Sequence, residues 1–514
     1  MNNTETRKKG LYLNTHSKSI ARFIVGSVAL CIFNISLSSC KASYSESDTL
    51  VAPVRAENIS VECRTPFESD RNLSGKQIFQ LTENCLFNGK NHQVRMVIYQ
   101  QTFDEVLAMG CESRKGPAKY GHIREFTFNG VTVKDAGIKV RGNTSRCNEK
   151  RQFKIKFNLT KAFSIFNNQT EIKEFGNSYK SRRMYGQKTI SLRASKNDPS
   201  QLRERISSEI FNQAYQINKS SKRGGLVYRV GFGQTFLSNG RLKDEGPADG
   251  YKHSLSNSGL LWDYKGFYSI AETIDDVFLF SRFEGDKNFG RSTLIQADKG
   301  AARFTRAGYR SAPQGFDHKL YAGVDPQDDA SDLKDSHELL ENLFDKLEKA
   351  KDERDLEKFL DTDSFASYLA GVMLTGHWDS LVANRNNDYL YFNHKTEKWH
   401  MITWDLDNSL GVIYHEYKNY LKNDIFAPRK RGSQVLLYAK LLDASNSKFR
   451  KKLQKTYEAL FAGFYSDENI REFVQNLQRR ANEATAEWEK VRTWTVDDII
   501  RFTEYHRREI KRQL

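Results

Sequence analysis

Residues 377–411 read HWDSLVANRNNDYLYFNHKTEKWHMITWDLDNSLG, and this stretch decides how the rest of the chain is interpreted. Residues 389–392 and 399–404 are rich in aromatic and aliphatic side chains, and a polar segment at 393–398 separates them. Two such runs around a short polar segment predict a β-hairpin. Polar residues stand immediately before this hairpin, and acidic residues stand at its end.

The polar residues around the hairpin have the types and the order that phosphoryl transfer requires. Such a reaction needs a carboxylate to orient the acceptor hydroxyl, and an Asn and an Asp to hold Mg²⁺ on the phosphates. Asp379 is the candidate for the first role, and Asn384 and Asp405 are candidates for the second, with Asp407 in reserve. The order H-x-D-x4-N, strand, turn, strand, Asp matches a kinase catalytic loop followed by its metal-binding Asp.

Each of these residues also has a purely structural interpretation. Asp379 could cap or turn a loop, Asn384 and Asn387 are common turn residues, and Trp404 is a candidate core residue. Asp405 and Asp407 alternate across the end of a strand, so the pattern lets one of them face a cleft while the other caps the next turn.

On the N-terminal side of this stretch, short alternating runs predict strands at 94–99, 125–128, 137–140, 153–157, 226–237 and 267–272. Asp198-Pro199 predicts a helix start, with Asp198 as the N-cap and an apolar stripe formed by Leu202, Ile206, Ile210 and Phe211. Beyond about 330 the apolar spacing is helical, in 339–347, 364–376, 434–464 and 470–490. The chain therefore combines a strand-rich first half with a helical second half.

Three segments in this order resemble the CotH family, named for the spore coat protein H kinase, an atypical secreted branch of the protein-kinase-like fold. The first is VRGNTS at 140–145 with QFKIKF at 152–157. The second is SLRA at 191–194, with Asp198 and Leu202-Arg203, and GFYSIAE at 266–272. The third contains Asp379, Asn384 and the WDLD of 404–407. Together they span roughly 130–415.

The resemblance implies an α+β, bilobal protein-kinase-like fold. We expect a strand-rich N-terminal lobe at 121–275, a mainly helical C-terminal lobe at 276–514, and an extra β-rich, cysteine-containing segment at 58–120. The implied activity is transfer of the ATP γ-phosphoryl group, with Mg²⁺ or Mn²⁺, to Ser or Thr hydroxyls of a surface or exported protein.

The resemblance also implies nucleotide-binding residues. Phe153, Ile155 and Phe157 share one strand face, so Lys154 and Lys156 share the other, and either could contact phosphate. Solvent-facing lysines on an amphipathic strand are the alternative. Residues 142–145, next to Arg141, could cradle phosphate or form a plain turn. Glu209, with Glu204 close behind, is the implied lysine partner. Residues 272–274, beginning with Glu272, are the implied linker between lobes, where backbone groups meet adenine.

The N-terminus predicts export. Residues 1–22 are basic and polar, residues 23–39 are apolar or small, and Cys40 follows, which is the pattern of a secretory signal. Leu37-Ser38-Ser39-Cys40 resembles a lipobox, so residues 1–39 are a predicted lipoprotein signal, Cys40 a predicted lipidation site, and 40–57 a tether. Lys41 after Cys40 favours the outer membrane over the inner one. An uncleaved anchor and an ordinary signal peptide are the alternatives.

Cysteine usage agrees with export, because Cys63, Cys85, Cys111 and Cys147 fall in one region and no cysteine follows them. An even set in an exported chain predicts two disulfides, with the pairing open. A zinc site is the rival interpretation, but no CxxC pair is present.

Composition bounds the remaining possibilities. The 514 residues are 38% hydrophobic and 28% charged, which excludes wholesale disorder and a polytopic membrane protein. The net charge of +16 favours an anionic partner, such as an acidic protein substrate. Nucleic acid is not the expected partner, because the chain is predicted to be exported and has no nucleic-acid recognition motif. Two other functions stay open: a non-catalytic, surface-anchored binding or structural protein on this scaffold, and transfer of AMP or phosphate to a glycan.

Overall fold

The computed structural model describes Cys63 and residues 73–112, 120–142, 144–195, 197–240, 260–283, 293–298, 300–320, 330–412, 436–443 and 445–514. These residues all belong to one unit that spans 49–514. The predicted signal, the lipidation site Cys40 and the tether at 40–57 lie outside the described residues.

The larger of two sheets contains nine strands: β1 (Asn91–Val97), β2 (Gly121–Phe128), β3 (Val131–Arg141), β4 (Gln152–Lys156), β5 (Lys161–Phe166), β6 (Gln169–Glu174), β7 (Thr189–Arg193), β8 (Val230–Ser238) and β9 (Asp263–Glu272). Their order is β1-β8-β9-β7-β4-β3-β2-β5-β6, and β1 also pairs with β2. This additional pairing closes seven strands into a barrel-like sheet, to which the hairpin of β5 and β6 is attached.

Apolar and polar side chains alternate along β3, β4 and β7, so this part of the sheet has one apolar and one polar face. One face contributes Ile138, Val140, Phe153, Ile155, Ile190 and Leu192 to a single buried cluster. The other face carries polar and charged side chains, because Lys154 lies opposite Lys139 on β3 and opposite Ser191 on β7. The sequence prediction that Lys154 and Lys156 share a face is confirmed by this register.

The second sheet is antiparallel, with the order β11-β10-β12-β13, and consists of β10 (Thr293–Ala297), β11 (Phe316–Leu320), β12 (Tyr389–Asn393) and β13 (Lys398–Ile402). β12 and β13 are the hairpin predicted from the opening stretch, with Tyr389 opposite Ile402. The sequence analysis did not identify β10 or β11, which are too short to show a clear period.

The described residues contain twelve α-helices: α1 (Gly75–Leu86), α2 (Gln100–Glu112), α3 (Arg203–Ile217), α4 (Asp276–Phe283), α5 (Arg306–Ser311), α6 (Ala330–Lys349), α7 (Glu353–Glu357), α8 (Thr362–Thr375), α9 (Leu436–Leu441), α10 (Ser447–Ala462), α11 (Asp467–Glu483) and α12 (Thr493–Lys511). Nearly every residue of α8 is buried, so this helix is surrounded by protein on all sides. α3 packs closely against it, with Phe211 of α3 lying over Gly371 of α8.

The structure differs from the sequence prediction at two places. The expectation of a β-rich segment at 58–120 is wrong in its described part, which holds α1 and α2 and only one strand, β1. The helix predicted to start at Asp198 starts instead at Arg203, because residues 198–202 form a tight turn in which Gln201 has φ +56°. Asp198 still accepts a hydrogen bond from the backbone N–H of Arg203, at 2.9 Å.

The fold is thus mixed α+β, and its strands are concentrated before its longer helices. The kinase-like division into two lobes, at 121–275 and 276–514, stays a prediction. None of the helices in the described part of the chain is long and apolar enough to cross a membrane.

The four cysteines after the leader form two disulfides, Cys63–Cys85 and Cys111–Cys147. The first joins α1 to the chain before it. The second joins the end of α2 to the 3₁₀ helix Thr144–Cys147, which directly follows the turn at Gly142. The alternative of a zinc site at these four cysteines is therefore wrong.

Candidate active site

A row of basic side chains lies on the polar face of the large sheet. Lys139 and Arg141 extend from β3, and Lys154 and Lys156 extend from the neighbouring β4. None of these four cations forms an ion pair with a carboxylate among the described residues. Lys139 and Lys156 instead lie over the ring of Tyr120, with Nζ 4.9 and 5.6 Å from its centroid. The row therefore concentrates positive charge without a direct ion-pair partner in this part of the protein, although the charge of Asp275 acts on Lys154 and Lys156 from a greater distance.

The pKa values of the lysines reflect the closeness of these like charges and their burial. Burial, reinforced by the charge of Lys139, lowers the pKa of Lys154 to about 7. Burial and the charge of Lys156 likewise lower the pKa of Lys139 to about 8. Both shifts disfavour the charged form, so an anion placed against this face would relieve an unfavourable arrangement.

Arg141 connects this row to the acidic end of the hairpin. Its Nη1 donates a hydrogen bond to Ser191 Oγ at 2.5 Å, and its guanidinium lies 5.1 Å from the ring centroid of Trp404. Trp404 directly precedes Asp405, whose charge is close enough to act on the pKa of Arg141. The cationic row and the WDLD segment therefore belong to one site.

Asp379 lies in the loop between α8 and β12, where three asparagine side chains hold its carboxylate. Asn384 Nδ2 donates to Asp379 Oδ1 at 2.6 Å, and Asn387 Nδ2 donates to Oδ2 at 2.8 Å. Asn386 Nδ2 lies 3.3 Å from both oxygens. These neutral donors orient the carboxylate without adding a counter-charge.

Asp405 follows β13 in a left-handed conformation, with φ +64°, which few non-glycine residues adopt. Its Oδ1 forms an ion pair with Arg193, the last residue of β7. Burial alone would raise the pKa of Asp405, but the charges of Arg193 and Arg141 hold it below its usual value. Asp405 is therefore ionised and aimed at the basic face of the sheet.

Arg193 is the hub of a buried charge cluster. Its Nε lies 2.5 Å from Oε1 of Glu204 in the first turn of α3, and Nη2 lies 3.6 Å from Oδ2 of Asp407. Glu204 Oε1 also accepts a hydrogen bond of 2.5 Å from Tyr228 Oη, which in turn accepts one of 2.9 Å from the backbone N–H of Leu406. The WDLD segment is thus tied to both β7 and α3.

Asp407 fits the role of a cation ligand. Its Oδ1 is buried and has no hydrogen-bond partner in the described residues. Burial and the neighbouring charge of Asp405 raise its pKa well above the usual value, so a bound cation would satisfy the orphaned oxygen and favour ionisation. The described chain contains no ready-made cluster of three or more His, Cys, Asp or Glu side chains arranged around a metal position.

Glu209 and Glu272 lie apart from this cluster. Glu209 pairs with Arg205 at 2.8 Å, one turn away on α3, and accepts hydrogen bonds from Asn212 and Gln213. It lines a separate cavity of about 650 Å³ between α1 and α3. Five residues separate Glu209 from Glu204, about 140° around a helix, so the two carboxylates point to different sides. The structure thus shows no contact between Glu209 and Lys154.

Glu272 is also engaged elsewhere, at the end of β9. Its carboxylate lies 2.7 Å from Nη2 of Arg229 and 2.8 Å from Nη2 of Arg282. Burial would raise the pKa of Glu272, but these two guanidiniums lower it to about 2. The side chain of Glu272 therefore serves a buried ion-pair network beside the cavity, while contact of adenine with backbone groups at 272–274 stays a prediction.

The sequence analysis missed three contributors to this site. Arg193 was quoted only as part of a family segment, although its position two residues after Ser191 places it on the polar face of β7. Asn386 and Asn387 follow Asn384 closely, and their clustering before a strand was the available signal. The register of β4 with β3 and β7 could be found only from the structure.

A sequence model of a known family, described as CotH kinase protein, matches residues 138–506. The chain is also 22% identical over 304 residues to the inner spore coat protein H of Bacillus subtilis (strain 168), covering 58% of this chain and 70% of that protein. The family match includes the basic strands, Arg193, Glu204 and the segment from Asp379 to Asp407, and it extends over well more than half of the sequence. On this evidence the protein belongs to the CotH kinase family.

Proposed function

We propose that this protein is a CotH-like kinase that transfers the γ-phosphoryl group of ATP to Ser or Thr hydroxyls of a surface or exported protein. The observation that carries the proposal is the row of four basic side chains, none in an ion pair among the described residues, which Arg141 connects to the segment of Asp405. The charges of Asp379 and Asp405 both act on the pKa of His377, so Asp379 belongs to the same neighbourhood. The phosphates of a nucleotide would supply the negative charge that balances this basic row. The carboxylate of Asp379 would accept the proton of the hydroxyl.

The chemistry assigns a role to each group. Arg141, Lys139, Lys154 and Lys156 bind the phosphate oxygens and offset the charge that spreads over them during transfer. Asp379 orients the acceptor hydroxyl and takes its proton while the hydroxyl oxygen bonds to the γ-phosphorus. The bond from that phosphorus to the bridging oxygen breaks, and ADP leaves with the electron pair.

Asp405 and Asp407 are the oxygen donors that we assign to Mg²⁺ or Mn²⁺, with Asn384 as the further ligand expected from the sequence. A bound metal ion would neutralise phosphate charge at the acidic end of the site. Because Asp405 is paired with Arg193, metal loading requires this pair to adjust. Asn384 donates a hydrogen bond to Asp379 through Nδ2, so Oδ1 is the atom that it would present to a metal ion.

The place of action that we propose is outside the cytoplasm, with the chain anchored to a bacterial membrane through a lipidated Cys40. The basic and apolar leader supports this proposal, and the two disulfides agree with an oxidising compartment. An acidic acceptor protein suits the positive charge of the chain.

The test is transfer of label from ATP to the purified full chain and to an acidic protein such as casein, with Mg²⁺ or Mn²⁺. Wild type is compared with Asp379→Asn and Asp405→Asn, and with Asp498→Asn as an exposed control on α12. We expect incorporation of the γ-label in wild type and control, and at least a hundredfold loss in both site variants. Circular dichroism verifies that all four proteins are folded.

The two other functions give different results in the same experiment. Incorporation of label from the α-phosphate would indicate transfer of AMP instead. Thermal stabilisation by nucleotide without any transfer would indicate a binding protein, since a ligand at 100 times its dissociation constant adds about 2.7 kcal/mol to the free energy of unfolding. If the protein shows no transfer and no thermal stabilisation by nucleotide, nucleotide binding at this site is refuted.

A further inference from the structure

Asp388 lies at the open end of the hairpin formed by β12 and β13, and its carboxylate is almost fully buried, with 1% of the residue exposed. Oδ2 accepts a hydrogen bond of 2.8 Å from the backbone N–H of Leu381 and one of 2.5 Å from Tyr368 Oη on α8. Oδ1 accepts one of 3.2 Å from the backbone N–H of Trp404. One side chain therefore binds three separate elements.

The two backbone groups that Asp388 binds flank the residues assigned to the chemistry. Leu381 lies two residues after Asp379, and Trp404 directly precedes Asp405. Neither segment is part of a helix or strand, so ladder hydrogen bonds do not fix their separation. The carboxylate of Asp388 thus connects the loop of the proton acceptor with the segment of the metal ligands.

A buried carboxylate in this setting is costly unless its hydrogen bonds are needed. Asp388 forms no ion pair with a cation in the described part of the chain, and burial raises its pKa to about 7. An apolar residue of similar size would avoid that cost but would leave the N–H groups of Leu381 and Trp404 without their partner. The residue is therefore better suited to placing these two segments than to stabilising the fold.

We propose that Asp388 is a positioning residue that sets the separation between Asp379 and Asp405 by binding both segments through one carboxylate. This inference rests on the proposed function, because it assigns the two segments to a common reaction. Asp388 itself contacts no reacting group in this scheme. The cationic row on the large sheet is built from other elements, so nucleotide binding does not depend on Asp388.

Three variants separate positioning from general stability. Asp388→Asn keeps the shape of the side chain but replaces one acceptor oxygen by an NH₂ group, which can only donate. Because both oxygens of Asp388 accept hydrogen bonds, at least one of the three is lost. Tyr368→Phe removes only the hydroxyl and leaves both backbone hydrogen bonds. Leu374→Ala, on the same helix as Tyr368, truncates a fully buried side chain without touching Asp388 and serves as the control for lost stability.

The first measurement is steady-state phosphate transfer by the full chain, at a temperature at which all variants are folded. We expect Asp388→Asn to lower kcat at least tenfold while KM for ATP stays within twofold of wild type. Tyr368→Phe and Leu374→Ala should keep kcat within threefold. A kcat for Asp388→Asn no lower than that of Leu374→Ala would overturn the proposal.

The second measurement is amide hydrogen exchange at Leu381 and Trp404, which needs neither nucleotide nor activity. Exchange at one or both amides should become at least tenfold faster in Asp388→Asn, while Leu390 within β12 stays protected. Unchanged exchange at both amides would overturn the proposal. A wild type that transfers no phosphate would instead refute the proposed function, and the exchange rates would still decide whether Asp388 holds the two segments together.

Discussion

Arg193 Nε lies 2.5 Å from Glu204 Oε1, and this buried ion pair joins the end of β7 to the first turn of α3. The resemblance to kinases led us to expect a strand lysine paired with a helix carboxylate, with Lys154 and Glu209 as candidates. The pair observed in the structure uses a different strand and a different turn of the helix. Its guanidinium also contacts Asp405, so it connects the helix directly to the acidic segment.

Replacing Arg193 by Met should destabilise the protein strongly, because Glu204, Asp405 and Asp407 would lose the cation that they share. Removing one partner from a buried charge cluster costs about 3–5 kcal/mol. The control is Arg501→Met at an exposed position of α12, whose i,i+3 pair with Asp498 contributes about 0.5 kcal/mol. Urea unfolding monitored by circular dichroism gives both values.

The loss caused by Arg193→Met should be smaller at pH 5 than at pH 8. Without the guanidinium, the folded-state pKa values of the buried carboxylates rise above their unfolded values, and such groups favour folding at low pH but lose that contribution as the pH rises. An equal loss at both pH values would argue that Arg193 acts through packing rather than through charge.

Nucleotide binding at pH 8 should be accompanied by proton uptake at Lys154. The pKa of this lysine is about 7 in the free protein, mainly because of burial, and a bound phosphate would raise it. Calorimetric titration with ATP in two buffers of different ionisation enthalpy measures the uptake, which should fall by nearly one proton in Lys154→Met. Lys139, with a pKa of about 8, accounts for further uptake in both proteins. Identical heats in the two buffers would contradict the prediction.

The same shift has a consequence for the stability of the nucleotide-free protein. The usual pKa of 10.5 applies to the unfolded chain, so between about pH 7 and pH 10.5 the unfolded state holds more protons at this position than the folded state. The contribution of Lys154 to stability therefore rises with pH across this window. Lys154→Met should flatten that part of the profile, whereas Lys161→Met, at an exposed position on β5, should not.

The two disulfides should differ in reactivity and not in the stability that they provide. Their sequence separations of 22 and 36 residues correspond to about 3–4 kcal/mol each in the chain-entropy description. Cys63 and Cys85 are each 3% exposed, whereas Cys147 lies at the surface. Low concentrations of a thiol reductant followed by alkylation and mass spectrometry should therefore label Cys111 and Cys147 first. Simultaneous labelling of all four would contradict this order.

Gly371→Ala should destabilise the protein, although glycine to alanine normally favours a helix by about 1 kcal/mol. A Cβ at this position of α8 would lie 2.3 Å from Cδ1 of Phe211 on α3, and such overpacking costs about 1–3 kcal/mol. Chemical unfolding of Gly371→Ala, of Phe211→Leu and of the double variant provides the test. The double variant should recover part of the loss, and strictly additive losses would argue against this close contact.

The hairpin and the shared face of Lys154 and Lys156 could be predicted from the sequence, because both depend on the alternation of apolar and polar residues along a short run. Prediction from the sequence failed where partners are far apart along the chain, since Arg193 and Asp405 are separated by more than 200 residues. The choice of Glu209 over Glu204 shows a second cause, because a helix N-cap misplaced by four residues gives no guide to which side of the helix faces the site. α1 did carry a usable signal, an apolar spacing at Ile78, Leu81, Cys85 and Leu86 after a Ser74–Gln77 capping box.

The closure of the large sheet determines how much of the chain is needed to fold it. β1, β2 and most of β3 precede residue 138, where the family match begins, yet β1 hydrogen-bonds to both β8 and β2. A chain shortened to the matched region would leave β8 and the remaining part of β3 as open edge strands, which invite aggregation with other molecules. The smallest piece that can be expected to fold alone therefore reaches back at least to β1, because the strands that close the sheet precede the region that matches the family.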